Sequence, residues 1–346
     1  MRLLSLAILA LSAVSASAAP LSGDFTIKDF RYHTGAVAEL RQHYTTLGDP
    51  KNPAVLVLHG TGGTGDGMLN AAFGGELFGA GQPLDAAKYF IILPDCIGTG
   101  QSSKPSDGLR QEFPRYNYDD MIQAQYRLLT EHLGVKHLRL VTGNSMGGML
   151  TWVWLTAHPG FMDAALPLAS QPAAMASRNW MMRRLMIEAI KADPQFHNGD
   201  YTVQPPSMKY ARAFFGTATS GGTLGWQARA GTHAAADKAV DDMLAQPEDG
   251  DANDEIYQFD AARDYDPAPK LGDIRAWVLA INSADDERNP PETRTTERGV
   301  ARLAHGKYYL IPASAETRGH GTTGRAVLWK DVMSSWLAQV PHQGAE

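Results

Sequence analysis

Residues 138–149, LRLVTGNSMGGM, set Ser145 between Gly143 and Gly147. The apolar run through Leu138, Leu140 and Val141 predicts a buried strand. The following MLTWVWLTAH has no breaker before Pro159 and predicts a helix. A strand that passes into a helix through Gly-x-Ser-x-Gly makes a nucleophile elbow. Its turn is too sharp for a Cβ at the glycines, and the serine hydroxyl stands at the tip. The alternative is a glycine-rich turn whose serine only caps the helix.

A serine hydroxyl becomes a useful nucleophile when a base takes its proton and an acid orients that base. In elbow proteins the acid and then the histidine follow the serine along the chain. After the strand-like AWVLAINS (276–283), the loop ADDERNPPE offers Asp285 and Asp286. A proline four residues on, Pro290, favours Asp286 over Asp285, which would then be a loop-capping or solvated residue. After KYYLIPAS (307–314), His320 lies in the glycine loop RGHGTTG, whereas His305 precedes that strand and His342 lies in the tail. The oxyanion of an acyl-transfer intermediate needs backbone N–H donors. Met146, next to the nucleophile, is one candidate, and Thr61 in HGTGGTG (59–65) is the other. That glycine loop lacks the Lys-Ser/Thr ending of a phosphate-binding P-loop.

These residues need a scaffold. Apolar runs at 54–60, 89–95, 138–144, 164–170, 276–283 and 307–314 alternate with helical stretches. The pattern predicts an α/β fold, a mostly parallel central sheet flanked by helices. Two earlier strands are expected in DFTIKDFRYHTG and ELRQHYTTLGD, and a closing helix over 326–340. The alternation stops after residue 170. Trp180, Met181, Leu185, Met186 and Ile190 then recur at helical spacing, so residues 171–255 are read as a helical cap inserted between core segments 20–170 and 256–346. The acidic AQPEDGDANDE (245–255) is expected to be a surface loop. Arg178, Arg183 and Arg184 in the cap could meet an anionic substrate or be solvated helix-face charges.

Residues 1–19 combine Arg2, an apolar run from Leu3 to Val14, and Ala16-Ser17-Ala18 before Pro20. This layout predicts a secretory signal peptide and a periplasmic or secreted product with no membrane anchor after cleavage. Cys96 is the only cysteine, so no internal disulfide can form, and a small buried side chain is expected there. The net charge of -6, with scattered Lys and Arg, excludes a nucleic-acid surface. No Cys/His cluster has metal-ligand spacing, and no metal or organic cofactor is expected.

The chain resembles the α/β-hydrolase superfamily and, within it, the homoserine O-acetyltransferase-like branch. The likeness is carried by GQPLDAAKYFIILPDCIGTGQSS, YDDMIQAQYRLLTEHLGV, GNSMGGM, DDERNPPE and GHGTT, and runs from about residue 53 to the end. It implies an α/β-hydrolase fold with Ser145 as nucleophile, Asp286 as acid and His320 as base. Two departures stand out. HGTGG replaces the family's usual His-Ala-Leu-Thr-Gly, and Asp119-Asp120 replaces an Arg-Asp pair. With export removing the supply of acetyl-CoA, the expectation is a serine hydrolase that cleaves an ester, or an amide or thioester, through an acyl-enzyme. Its partner would be a small-molecule acyl ester. An acyltransferase of the homoserine O-acetyltransferase type is the alternative, and a non-catalytic binding protein of the same fold is a third reading.

Overall fold

The computed structural model describes residues 19–247 and 250–342. The expected signal peptide therefore lies outside the described residues, apart from Ala19. Strands β1 (Leu21–Arg31), β2 (Val37–Leu47), β3 (Ala54–Leu58), β4 (Phe90–Pro94), β5 (Leu138–Asn144), β6 (Met162–Leu168), β7 (Trp277–Ser283) and β8 (Gly306–Ile311) form one sheet. Its order is β1-β2-β4-β3-β5-β6-β7-β8. β1 and β2 pair with each other antiparallel, and β2 pairs antiparallel with β4. Every later pairing is parallel.

The central strands are apolar throughout because both faces are covered. Successive side chains still part to opposite sides. Leu56, Leu58, Val141 and Ala165 join a core with Leu150 and Trp154 on one face, while Val55, Val57, Leu140 and Leu166 meet Met333 and Trp336 on the other. Helices α1 (Gly74–Leu77), α2 (Tyr118–Arg127) and α3 (Met146–Ala157) connect the first six strands. Asn117 caps α2 in a reciprocal box with Asp120.

Among the described residues five α-helices lie between β6 and β7: α4 (Ser177–Lys191), α5 (Ser207–Thr219), α6 (Thr223–Arg229), α7 (His233–Leu244) and α8 (Ala252–Asp260). The inward face of α4 differs from the expected stripe. Met182, Arg183, Met186, Ile187 and Ile190 are buried, while Met181 and Leu185 face outward. The expected surface loop 245–255 is also shorter than predicted. Asp251 accepts from Asn253 N and starts α8, whose first turn places Asp254 and Glu255 at the favourable end of the helix dipole. The expected cap boundary at residue 255 falls inside this helix.

After β7 come α9 (Thr295–Val300) and α10 (Lys330–Leu337). The closing helix is shorter than expected because Ala326 N donates to Ala72 O and holds residues 326–328 in a tighter turn against the core.

Candidate active site

β5 runs straight into α3, and Ser145 between them adopts φ 59°, ψ -111°. This is a strained conformation for a residue with a side chain, and only fixed surroundings maintain it. The flanking glycines supply those surroundings. A Cβ on Gly143 would lie 2.5 Å from the backbone of Gly147, and one on Gly147 would lie 2.1 Å from Leu58 O. Ser145 N donates to Leu168 O, which ties the elbow to the neighbouring strand.

The structure brings Ser145, His320 and Asp286 into one hydrogen-bonded line. Ser145 Oγ lies 2.7 Å from His320 Nε2, and His320 Nδ1 lies 3.0 Å from both carboxylate oxygens of Asp286. All three residues are buried. Asp285 is placed elsewhere. It accepts from Ser283 Oγ, Thr317 Oγ1 and Gly319 N, and so supports the loop that carries His320.

The electrostatics give the two partners different states. Burial acts to raise the Asp286 carboxyl, but the nearby His320 and hydrogen bonds from Asn289 Nδ2 and Arg288 N outweigh it, and the group is held below its ordinary range. Burial lowers the His320 imidazole, and the attraction of Asp286 does not fully restore it. Arg288 and Arg183 lower it further. An ionised carboxylate thus faces a neutral imidazole whose Nε2 can take a proton from Ser145.

Met146 opens α3, where a backbone N–H has no acceptor within the helix. Thr61 lies on the turn after β3, and its hydroxyl is buried without a partner. Three further residues position this region, and of these Gln258 lies in no motif. His59 Nδ1 donates to Gly60 O while its Nε2 accepts from Cys96 N, which fixes both the tautomer and the loop. Gln258 on α8 accepts from Gly62 N at 3.0 Å and donates to Gly98 O at 2.7 Å. Asn289 donates to Asp286 Oδ2 and Ala169 O. A lone polar residue in an amphipathic helix gives no sequence signal, so Gln258 could be found only once its partners, 196 and 160 residues away, were placed.

The Asp119-Asp120 departure lies at the start of α2. Asp120 accepts from His33 N and Asn117 N there, and is bonded to the His33 ring. Its visible work is to cap the helix and hold the strand-end residue His33. Cys96 is free and buried.

Residues 53–236 match the family described as alpha/beta hydrolase fold. Homoserine O-acetyltransferase of Thermobifida fusca is 33% identical over 188 residues, covering 49% of each chain. Homoserine O-acetyltransferase of Haemophilus influenzae (strain 86-028NP) is 36% identical over 174 residues, 46% of this chain and 47% of its own. The chain therefore spans about half the length of these curated relatives. Among solved structures, homoserine O-acetyltransferase from Bacillus anthracis superposes with a TM-score of 0.82 at 20% identity, covering 93% of this chain and 98% of its own. An acetylester hydrolase from Corynebacterium glutamicum gives 0.77 at 22% identity, covering 92% and 95%. At these identities the two structures share the fold.

Proposed function

The chain belongs to the α/β-hydrolase family, in its homoserine O-acetyltransferase-like branch, and we propose that it transfers acyl groups through an acyl-serine. The observation that carries this reading is the line from Ser145 Oγ through His320 to Asp286 on a strained elbow. Ser145 Oγ attacks the carbonyl carbon of an ester or thioester and gives its proton to His320 Nε2. The N–H groups of Met146 and Thr61 receive the oxyanion. His320 then passes the proton to the departing alkoxide or thiolate as the carbon–oxygen or carbon–sulfur bond breaks. A second nucleophile repeats the sequence in reverse and frees the serine.

The second nucleophile is a small hydroxyl acceptor of the homoserine kind, and the curated relatives support this choice. Water is the competitor. Hydrolysis is favoured by the N-terminal leader, which points to export away from acetyl-CoA, and by the HGTGG loop. The Asp119-Asp120 pair favours neither fate, because Asp120 caps α2 and Asp119 adds a charge to the same first turn.

A fluorophosphonate probe should label wild-type protein, and Ser145→Ala should abolish both labelling and turnover. Product analysis with 4-nitrophenyl acetate and homoserine then separates the two fates. O-acetylhomoserine as main product supports transfer, whereas free acetate with the acceptor present makes the protein an esterase. An unlabelled Ser145 would remove the acyl-serine altogether.

A further inference from the structure

The end of α5 and the residues that follow it, Thr219 to Gly222, face two core loops at once. Gly221 N donates at 2.9 Å to the carbonyl of Arg318, two residues before His320. Gly222 N donates at 2.8 Å to Oε1 of Glu287, the residue after Asp286. Arg288 Nε donates to Thr219 O and Oγ1, and its Nη2 donates to Ser220 Oγ. From α4, Arg178 Nη2 donates to Glu287 O at 3.4 Å. The approach is close enough to require glycine on both sides. Gly222 has φ 67°, and a Cβ there would lie 2.2 Å from Asp285 Oδ2. Gly319 has φ 55°, and a Cβ there would lie 2.6 Å from Gly222 N.

The two residues after the acid are each engaged at both ends. Glu287 offers Oε1 to Gly222 N in the cap and Oε2 to His320 N at 3.2 Å. Arg288 gives its guanidinium to the cap and its backbone N–H to Asp286 Oδ1 at 2.8 Å. A carboxylate is rigid and planar, so two donors that share one carboxylate are held in a fixed mutual geometry. The donors shared by Glu287 are a cap amide and the backbone amide of the base itself. His320 Nε2 must stand 2.7 Å from Ser145 Oγ, and a misplacement of about 1 Å can cost about a hundredfold in rate. A tie of this kind acts on the proton transfer as well as on the fold.

We propose that Glu287 is a positioning residue that keys His320 to the cap, so that the base stands at Ser145 only while the turn Thr219 to Gly222 is seated. The inference rests on the acyl-serine reading and gives the cap a part in aligning its base. A cap that lifts withdraws Gly222 N from Glu287, and the carboxylate then loses the partner that aims its other oxygen at His320 N.

The test compares Glu287→Ala, Glu287→Gln and Gly222→Ala, with 4-nitrophenyl acetate as ester and a fluorophosphonate as a probe that needs no acceptor. Glu287→Ala should lower kcat and the labelling rate together by roughly tenfold or more, with KM within about twofold. Glu287→Gln keeps one acceptor oxygen and should lose less. Gly222 lies in the cap, outside the line from Ser145 to Asp286, yet Gly222→Ala should lower kcat in the same way. The double variant of Glu287→Ala and Gly222→Ala should lose little more than the worse single variant, because both break one tie. A role in folding alone would lower Tm and spare kcat, and a role in binding alone would raise KM. Either pattern overturns the tie, and so do losses that multiply in the double variant. Hydrogen exchange at the His320 amide supplies a readout without turnover, and Gly222→Ala should speed it. Arg288→Met, which also unseats the turn, replaces Gly222→Ala there if that variant fails to fold. If wild-type protein turns over no ester and takes no label, the acyl-serine reading fails and exchange alone judges the tie. Faster exchange at His320 in the cap variant supports it, and unchanged exchange overturns it.

Discussion

α3 and α7 have the same length, 12 residues each, yet ten residues of α3 are buried and none of α7. α3 begins at the residue after Ser145 and is packed on all sides, with Trp152 and Trp154 fully buried among the core residues. Its start has one available position, and the strained serine is held there. α7 has no buried residue; Ala235, Ala239 and Met243 are half-buried along one face, and Val240 is 48% exposed. Between these extremes lies α8, which joins cap to core through polar contacts. Asp254 meets Ser106, Gln258 meets Gly62 and Gly98, and Tyr257 meets Gln111 O and Phe113 O. The difference shows where precision resides in this molecule. Dry packing fixes the elbow serine, hydrogen bonds fix the seam, and little fixes the cap's outer edge.

The sharpest break of that ordering is at the base of the hydrogen-bonded line that starts at Ser145. Asp286→Asn should lower kcat by about 10⁴-fold with the fold retained, since the amide presents the wrong hydrogen-bond pattern to His320 Nδ1. Asp285→Asn should cost far less in kcat and show mainly in Tm, because its oxygens hold Thr317 and Gly319 rather than the imidazole. Stopped-flow or steady-state ester assays with circular-dichroism melts separate the two effects. The larger kinetic loss at Asp285 would reassign the acid.

The meeting of Ser145, Asp286 and His320 was legible because each follows a strand end and a glycine or proline marks its loop. The parallel sheet was legible for a similar reason, since strands buried on both faces must be apolar throughout. The cap was read less well. On α4 the apolar residues are so dense that Met181 and Leu185 matched the period as well as Met182 and Ile187 did, and only the packed core chose the inward set. The acidic run at 245–255 looked like a loop because its charges were counted without the N-cap that turns them into a helix start. Gln258 left no trace, since its partners are distant in sequence.

Gln258 gives the next effect in size. Gln258→Leu removes the acceptor for Gly62 N and the donor to Gly98 O, and frees the loop that presents Thr61. A misplaced oxyanion donor costs up to about 3–4 kcal/mol, so kcat should fall by roughly ten- to a hundredfold with a smaller change in KM. Val240→Ala on α7 should leave kcat unchanged and stability within about 0.5 kcal/mol. If the two variants behaved alike, the seam would be no more exacting than the cap's outer edge.

The last effect concerns the cost of that seam. Asp254 is 7% exposed, and burial raises its carboxyl to about 6 despite hydrogen bonds from Ser106 N and Oγ. Its unfolded value lies near 3.9. The folded state therefore holds this proton more tightly than the unfolded state. The stability it contributes is present at low pH, is lost as pH rises from about 4 through 6, and does not change beyond. Ionised Asp254 should cost on the order of 2–3 kcal/mol at neutral pH. Asp254→Asn keeps an oxygen for Ser106 N and cannot ionise. The Tm of this variant minus that of wild type should therefore be more positive at pH 7.5 than at pH 4.5. A difference that stays flat, or shrinks towards neutrality, would mean that the carboxylate is well solvated at the seam. The polar join between cap and core would then carry no electrostatic cost.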